Sequence, residues 1–387
     1  MWRSYFADRN YRVFYLHSFG DSIATRLTQI FTGAFLYSSG MPLHFIFLFL
    51  GLEFGLRGVL APLGPALFSK IGLVKTVYLS YVLLIVYFIL VGSAGVSLSV
   101  AFSAFIFHAF GRAIYYPCID SLHALLVHEE SRGRQNSIEI ALMSLAGLVA
   151  VGLGTVVLTF YSFWMLAVIV AVILLITGGI VSWLDGVTPV PVRVKDSYTY
   201  LASQSFRPYL LPLGAYSLAI IANIFAAPLL IFISVGNIEV FGLVVGAALT
   251  VELLVVLAAG AVVDRYHHTR TAFIVVALQS IGNIGYLFLK GNPLQAFAIN
   301  AFNTNAWNAL RNNFETRVQR EAKRSGSALL FMTAGQMTLC FVEVVALSAF
   351  ALIAYWHQLA VFPVVFIASV VGLWIAERTL FGRDTTE

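Results

Sequence analysis

Charge is what this sequence has least of. Asp, Glu, Lys and Arg make up 11% of its 387 residues, less than half of the roughly one quarter that soluble domains carry. That scarcity excludes an ordinary water-soluble domain, and it removes any nucleic-acid meaning from the net charge of +5. Cysteine is nearly missing too: Cys118 and Cys340 both fall within apolar runs, which excludes a disulfide framework. No polar stretch is long enough to hold an appended catalytic or ligand-binding module. There is no Gly-rich Lys motif for ATP, no His-Glu-x-x-His, no Gly-x-Ser-x-Gly and no paired zinc-ligand spacing. No cofactor and no metal are therefore expected. Adjacent His267 and His268, in a basic loop without cysteine company, read as solvated.

What is present is apolar: 60% of residues are hydrophobic and the mean hydropathy is +0.88. Apolar runs near 12–38, 42–67, 74–95, 98–124, 136–160, 162–184, 208–235, 238–262, 271–289, 293–314, 327–352 and 357–376 each reach the ~20 residues that cross a bilayer as helix. This predicts an all-α integral membrane protein of twelve spans. Arg3, Arg9, Arg12, Lys70, Lys75, Arg132, Arg134, Arg193, Lys195, Arg207, Arg265, Arg270, Arg317, Arg320, Lys323, Arg324, Arg378 and Arg383 fall in the termini and the even-numbered connections. Only Lys290 falls in an odd-numbered one, while Arg26, Arg57, Arg112 and Arg311 lie inside spans. Short basic loops stay in the cytoplasm, so both termini are expected there. The opening residues, MWRSYFADRNYRVF, hold four charges before the first run, unlike a cleaved signal peptide. The longest polar connection, 185–207, divides the chain into bundles at 1–184 and 208–387.

An ionisable group inside a bilayer costs roughly 3 kcal/mol on insertion scales, so it faces a wet cavity or a partner. Asp21 and Arg26 lie in span 1, Glu53 and Arg57 in span 2, Arg112 and Asp120 in span 4, and Glu139 in span 5. The second half holds Glu252 in span 8, Arg311 and Glu315 in span 10, and Glu343 in span 11. Spans 3, 6, 9 and 12 have no charge well inside, as expected if they are peripheral and the others enclose a path.

Two six-span halves with every third helix outermost resemble the major facilitator superfamily of transporters. A loop motif sharpens the resemblance. Family members carry Gly-x-x-x-Asp-Arg-x-Gly followed by two basic residues between helices 2 and 3, often echoed between helices 8 and 9. Here the second loop reads Gly260-Ala-Val-Val-Asp264-Arg265-Tyr-His267-His268-Thr-Arg270, departing from His267 to Thr269. In the first loop Pro65, Ser69 and Lys70 replace Gly, Asp and Arg, with Gly72 retained. Arg112-Ala-Ile-Tyr-Tyr-Pro117, running on to HEESRGRQNSIE, and Ser18-Phe-Gly-Asp21 resemble segments of proton-coupled exporters and lysophospholipid transporters. The resemblance implies two pseudo-symmetric bundles, alternating access, and a gating role for Asp264, Arg265 and Arg270.

His108, Arg112, Tyr116 and Asp120 recur every four residues and form a drifting polar stripe on span 4. Arg112 can hold a carboxylate ionised until a proton or solute competes, or can simply pair with Asp21 or Glu53. Asp21 and Glu53 are the leading proton-site candidates, with Glu252 and Glu343 as alternatives. Glu53 and Arg57, four residues apart, can also satisfy each other. On span 10, Asn300, Thr304, Asn308 and Asn312 form a second polar ridge beside Trp307 and Arg311, suited to a solute of mixed polarity. Interhelical bonding is the competing explanation. Arg26, Arg57, His108, Tyr116, Asn223, Thr304, Trp307, Asn308 and Arg311 are the candidate solute contacts. Asp120, Glu139 and Glu315, near helix ends, are expected in gating. The whole predicts a monomeric secondary transporter of a bacterial inner membrane exchanging protons for an amphipathic organic solute, with uptake or flipping of an anionic solute as the alternative. Its partners would be a small-molecule substrate, protons and the lipid bilayer, with no nucleic acid.

Overall fold

A lipid-embedded backbone must bond to itself, and this one does so as helices. The computed structural model describes residues 8–93, 97–126, 132–186, 191–263 and 268–380, without the side chains of Thr28, 132–134, 257–263 and 268–271. In the first half, α1 is Arg9–Ser38, with Asp8 as its cap accepting from Asn10 N at 2.8 Å. Pro62 has no N–H to give, and α2 is accordingly split into Leu43–Leu60 and Leu63–Ile71. Then come α3 (Leu73–Gly92), α4 (Leu98–Leu126), α5 (Arg132–Phe160) and α6 (Phe163–Val181). Gly72, the position kept from the first-loop motif, turns the chain from α2 into α3 at φ +81°, a conformation open to glycine.

The connection at 185–207 is not all loop, for it contains a short helix, Val194–Leu201, whose Arg193 N donates to Asp196 Oδ2 at 2.8 Å. The second half follows. Helix α7 runs Arg207–Ile220, then through a π-turn at Ile221–Ala226, then Ala227–Val235. After it come α8 (Ile238–Val263), α9 (His268–Gly285), α10 (Pro293–Arg324), α11 (Ala328–Trp356) and α12 (Val361–Leu380). Helix α10 extends ten residues beyond the apolar run that announced it, because its last turns are charged and leave the membrane.

Among the described residues, nine helices are long and apolar enough to cross a membrane on composition alone. Helices α1 and α10 fall short because they carry polar groups that point inward, His17 and Asp21 on α1 and Asn303, Asn308 and Asn312 on α10, all buried; α9 is apolar over Ala272–Phe288 and buries Gln279 and Asn283. The outside is the reverse, with Ile176, Leu243, Leu254 and Val345 each more than 60% exposed, a surface suited to lipid. Helix α3 packs on α4 and α6, α6 on α1 and α3, α9 on α10 and α12, and α12 on α7 and α9, each within its own half.

Two seams join the halves, α2 against α11 and α5 against α8. Both depend on missing side chains. Gly51, Gly55 and Gly58 of α2 face Leu347, Val344 and Cys340, and a methyl group on Gly58 would stand 2.9 Å from Cys340 Cβ. On the other seam Gly242 and Gly246 of α8 face Thr155 and Val151 of α5. Small residues let membrane helices approach closely enough for dispersion to hold them.

Candidate functional site

Between the halves lies a cavity of about 270 Å³. Contacts between the halves lie toward both of its ends. At the end where the basic loops gather, Asn136 Nδ2 on α5 donates to Thr316 Oγ1 (2.9 Å) and Gln319 Oε1 (3.2 Å) on α10, and Asn312 Nδ2 donates to Ser137 Oγ at 2.9 Å. Toward the other end, Phe31 meets Phe241 edge-on with ring centroids 6.0 Å apart, and Phe54 meets Phe225 at 5.6 Å.

The cavity wall carries Asp21, Arg26, Arg57, Tyr116, Asp120, His123, Glu139, Arg311, Glu315 and Glu343. Their partners sort them. Arg112 stands just behind this wall and donates to Asp21 Oδ1 (3.2 Å) and Thr25 Oγ1 (2.7 Å), and Thr25 donates in turn to Asp21 Oδ2 at 3.1 Å. Of the two options left open for Arg112, the pair with Asp21 is the one formed. Arg57 does not pair with Glu53. Its guanidinium lies over the rings of Phe54 (4.9 Å) and Tyr116 (4.7 Å) and donates to Gln336 Oε1 at 3.0 Å, while Gln336 Nε2 donates to Asp120 Oδ2 at 2.8 Å. Glu53 instead sits against His108, whose Nδ1 is 2.7 Å away without the alignment of a hydrogen bond. Both of these residues, with Arg112, line a second, smaller cavity of about 50 Å³ displaced toward the other end. The stripe on α4 thus connects two spaces, with His108 and Arg112 on the small one, Asp120 on the large one and Tyr116 on both.

On the second half, Arg311 Nε donates to Glu315 Oε1 at 2.6 Å. Asp120, Glu139 and Glu315, expected at a gate near the helix ends, also line the cavity. Trp307, Tyr216 and Phe314 form a flat apolar wall: the Tyr216 ring stacks on Phe314 at 3.8 Å and on Trp307 at 5.5 Å. The polar ridge of α10, by contrast, turns away. Thr304 and Asn308 do not reach the cavity, which takes Trp307, Arg311, Phe314, Glu315, Val318 and Gln319 from this helix. Residue 308 is rotated about 100° from 307 on a helix, enough to change neighbours. Thr304 donates to Asn300 Oδ1 at 3.3 Å, and Asn308 stands beside Glu252 with its Nδ2 unbonded. Asn223 is likewise off the wall. Its Nδ2 bonds Ala219 O at 2.7 Å within the π-turn of α7, and its Oδ1 accepts from Gln279 (2.8 Å) and Asn303 (2.6 Å). Asn223 is thus engaged in interhelical bonding, while Asn308 keeps a free amide donor.

Glu252 is fully buried on α8 and accepts from Ser144 of α5, and Glu343 is buried on α11 near Arg57; each keeps an Oε2 without a hydrogen bond. Asp264 and Arg265 lie outside the described residues, as does the Arg270 side chain. Two residues escaped sequence reasoning, His123 on the cavity wall and Ser144, which is off it and donates to Glu252. His123 has its Nε2 3.0 Å from Glu139 Oε2 and its ring stacked 4.9 Å from Phe14. Ser144 has no signal beyond being a hydroxyl in an apolar run.

Two six-helix bundles, four outer helices and a polar cavity on the dividing plane define the major facilitator fold. The solved structure of the human organic anion transporter MFSD10 (TETRAN) shares it, with a TM-score of 0.65 over 95% of this chain and 99% of that one at 13% identity. No protein-family model and no curated protein matches the sequence.

Proposed function

We propose that this protein is a proton-coupled secondary transporter of amphipathic organic anions, not an enzyme, working by alternating access. The cavity between the halves carries the reading: its lining combines Arg26 of α1 with Arg311, which stands on the same helix as Trp307 and Phe314 beside the flat wall they form with Tyr216. A solute with an anionic group and an apolar ring would satisfy both. That MFSD10 is an organic anion transporter agrees with it. In the cycle, the amide bonds between α5 and α10 at the basic end and the aromatic contacts near the other would break in turn, while the glycine seams act as the surfaces on which the halves rock. Asp21, tied to Arg112, and Glu53, against His108, would take up and release the coupling proton. The basic end would face the cytoplasm of a bacterial inner membrane, with export as the direction and a monomer as the working unit.

Purified protein in sealed vesicles with an imposed pH gradient, offered a labelled aromatic carboxylate and its neutral amide, tests the reading. Gradient-driven movement of the carboxylate and not the amide is expected, with Arg311→Gln losing that preference. Intact gradient-driven transport in both Asp21→Asn and Glu53→Gln would remove the proton assignment, and equal movement of amide and carboxylate the anion assignment.

A further inference from the structure

Several groups on the cavity wall stand against an ionisable partner: Asp21 against Arg112, Glu139 against His123, Arg311 against Glu315. Arg57 does not. It lines both the large cavity and the small one, and its one hydrogen bond, from Nη2 to Gln336 Oε1 at 3.0 Å, goes to a neutral amide. Its Nε is buried without a hydrogen bond, and Glu53, four residues back on the same helix, is turned to His108. The rings of Phe54 and Tyr116, with centroids 4.9 and 4.7 Å from the guanidinium carbon, attract the cation without neutralising it. A guanidinium with donors to spare fits the oxygens of a carboxylate or sulfonate. Arg26, which also lacks a salt bridge among the described residues, has neither ring faces nor an acceptor in place. What occupies Arg57 instead comes from the other half. Gln336 of α11 accepts from Arg57 while its Nε2 donates to Asp120 Oδ2 at 2.8 Å, so one amide bridges a first-half cation and a first-half carboxylate. It does so where the α2–α11 seam is narrow: a methyl group on the adjacent Gly58 would stand 2.9 Å from Cys340 Cβ and 3.6 Å from Met337 O.

We infer that Arg57 is the residue that selects an anionic solute, and that Gln336 Oε1 is the resident acceptor which an oxygen of the solute's carboxylate or sulfonate replaces. This deepens the organic-anion reading above and rests on it: Arg57 brings the first half to the anionic group as Arg311 brings the second. The amide oxygen of Gln336 is neutral, whereas the solute's oxygen carries charge, and Coulomb attraction favours the exchange where water is scarce. Arg57 and Gln336 stand on different halves, so the exchange also removes a hydrogen bond between them. Solute contact and release of one tie between the halves become a single event, which is how a ligand biases a conformational equilibrium. Only hydrogen bonds are made and broken. No proton is taken up or released, so the exchange itself sets no direction of transport.

The test measures binding of benzenesulfonate, which stays ionised, and of neutral benzenesulfonamide to the full-length protein in nanodiscs at neutral pH. Arg57→Gln should lower sulfonate affinity by about 10- to 100-fold, the value of one hydrogen bond from a charged group. Arg57→Lys, which keeps the charge and loses the planar fork, should fall between that variant and the wild type. Removing the resident acceptor should act in the opposite sense. Gln336→Leu is made together with Asp120→Asn, so that the freed aspartate does not claim Arg57, and is compared with Asp120→Asn alone. The double variant should bind the sulfonate roughly tenfold more tightly than that reference, a gain that a merely structural Gln336 would not produce. Sulfonamide affinity should respond to none of these changes, and the melting temperature of each variant verifies folding. Wild-type sulfonate affinity in folded Arg57→Gln, or no tightening in the folded double variant, overturns the exchange at Arg57 while leaving the organic-anion reading standing. A wild type that does not prefer the sulfonate to the sulfonamide overturns both.

Discussion

Replacing Arg112 by Gln is expected to destabilise the protein by about 3–5 kcal/mol, the penalty for stranding one member of a buried ion pair. Arg112 is 2% exposed, and its guanidinium reaches Asp21 Oδ1 at 3.2 Å and Thr25 Oγ1 at 2.7 Å. Asp21 is 8% exposed, so water does not replace the lost cation. Counting the contacts gives a similar figure, since each hydrogen bond from a charged group contributes about 1.5–3 kcal/mol. A glutamine side chain is too short to restore either. Adding Asp21→Asn removes the stranded charge, so the double variant should recover about 2 kcal/mol relative to Arg112→Gln alone. Reversible unfolding in mixed micelles, run on the wild type, both single variants and the double, yields the coupling directly. A loss below about 1 kcal/mol for Arg112→Gln, the value of an exposed pair, would refute the buried-pair argument. So would a double variant no more stable than that single one.

Gly64→Ala should lower stability by about 1–3 kcal/mol through overpacking. Its new methyl group would stand 2.7 Å from Ile114 O and 3.1 Å from Ala113 O, backbone atoms of α4 that cannot step aside. Gly152→Ala, with nothing within 4 Å, is the control and should be neutral or stabilising by up to about 1 kcal/mol. Equal melting temperatures for the two would contradict the close approach of α2 to α4. Asn223→Ala strands the amide donor of Asn303, while Gln279 Nε2 keeps the Asn283 and Asn303 oxygens as acceptors, so a loss of about 1–3 kcal/mol is expected, with affinity for the aromatic carboxylate unchanged. Lost affinity at an unchanged melting temperature would put Asn223 at the solute instead.

The spans were legible because lipid imposes one demand on every residue of a run, and that demand can be summed locally. Interior charge was legible for the same reason: its cost is so high that Asp21, Glu53, Arg112 or Glu252 in an apolar run had to face the interior. Partner choice was not. Glu53 and Arg57 share a helix and the right spacing, yet Arg57 reaches across the α2–α11 seam to Gln336 and Glu53 turns to His108. The ridge of amides on α10 was legible as a polar face, but what stands opposite it was not, because 3.6-residue periodicity gives a face and no neighbour. The Trp307–Arg311 face reaches the cavity, while the amides beside it bind α9, α7 and α5.

The sequence by itself determined an all-helical membrane protein, its twelve spans, the gathering of basic loops at one end and the list of charged residues that must be enclosed. These follow from transfer energies that depend on each residue and its near neighbours along the chain. Only the tertiary structure decided which charges cancel one another and which are left over. Asp21 is tied to Arg112 and Arg311 to Glu315, whereas Arg26 on one half and Glu252 on the other have no salt bridge among the described residues. Electrostatic energy falls with distance in space rather than along the chain, so that remainder exists only once the two bundles are packed together.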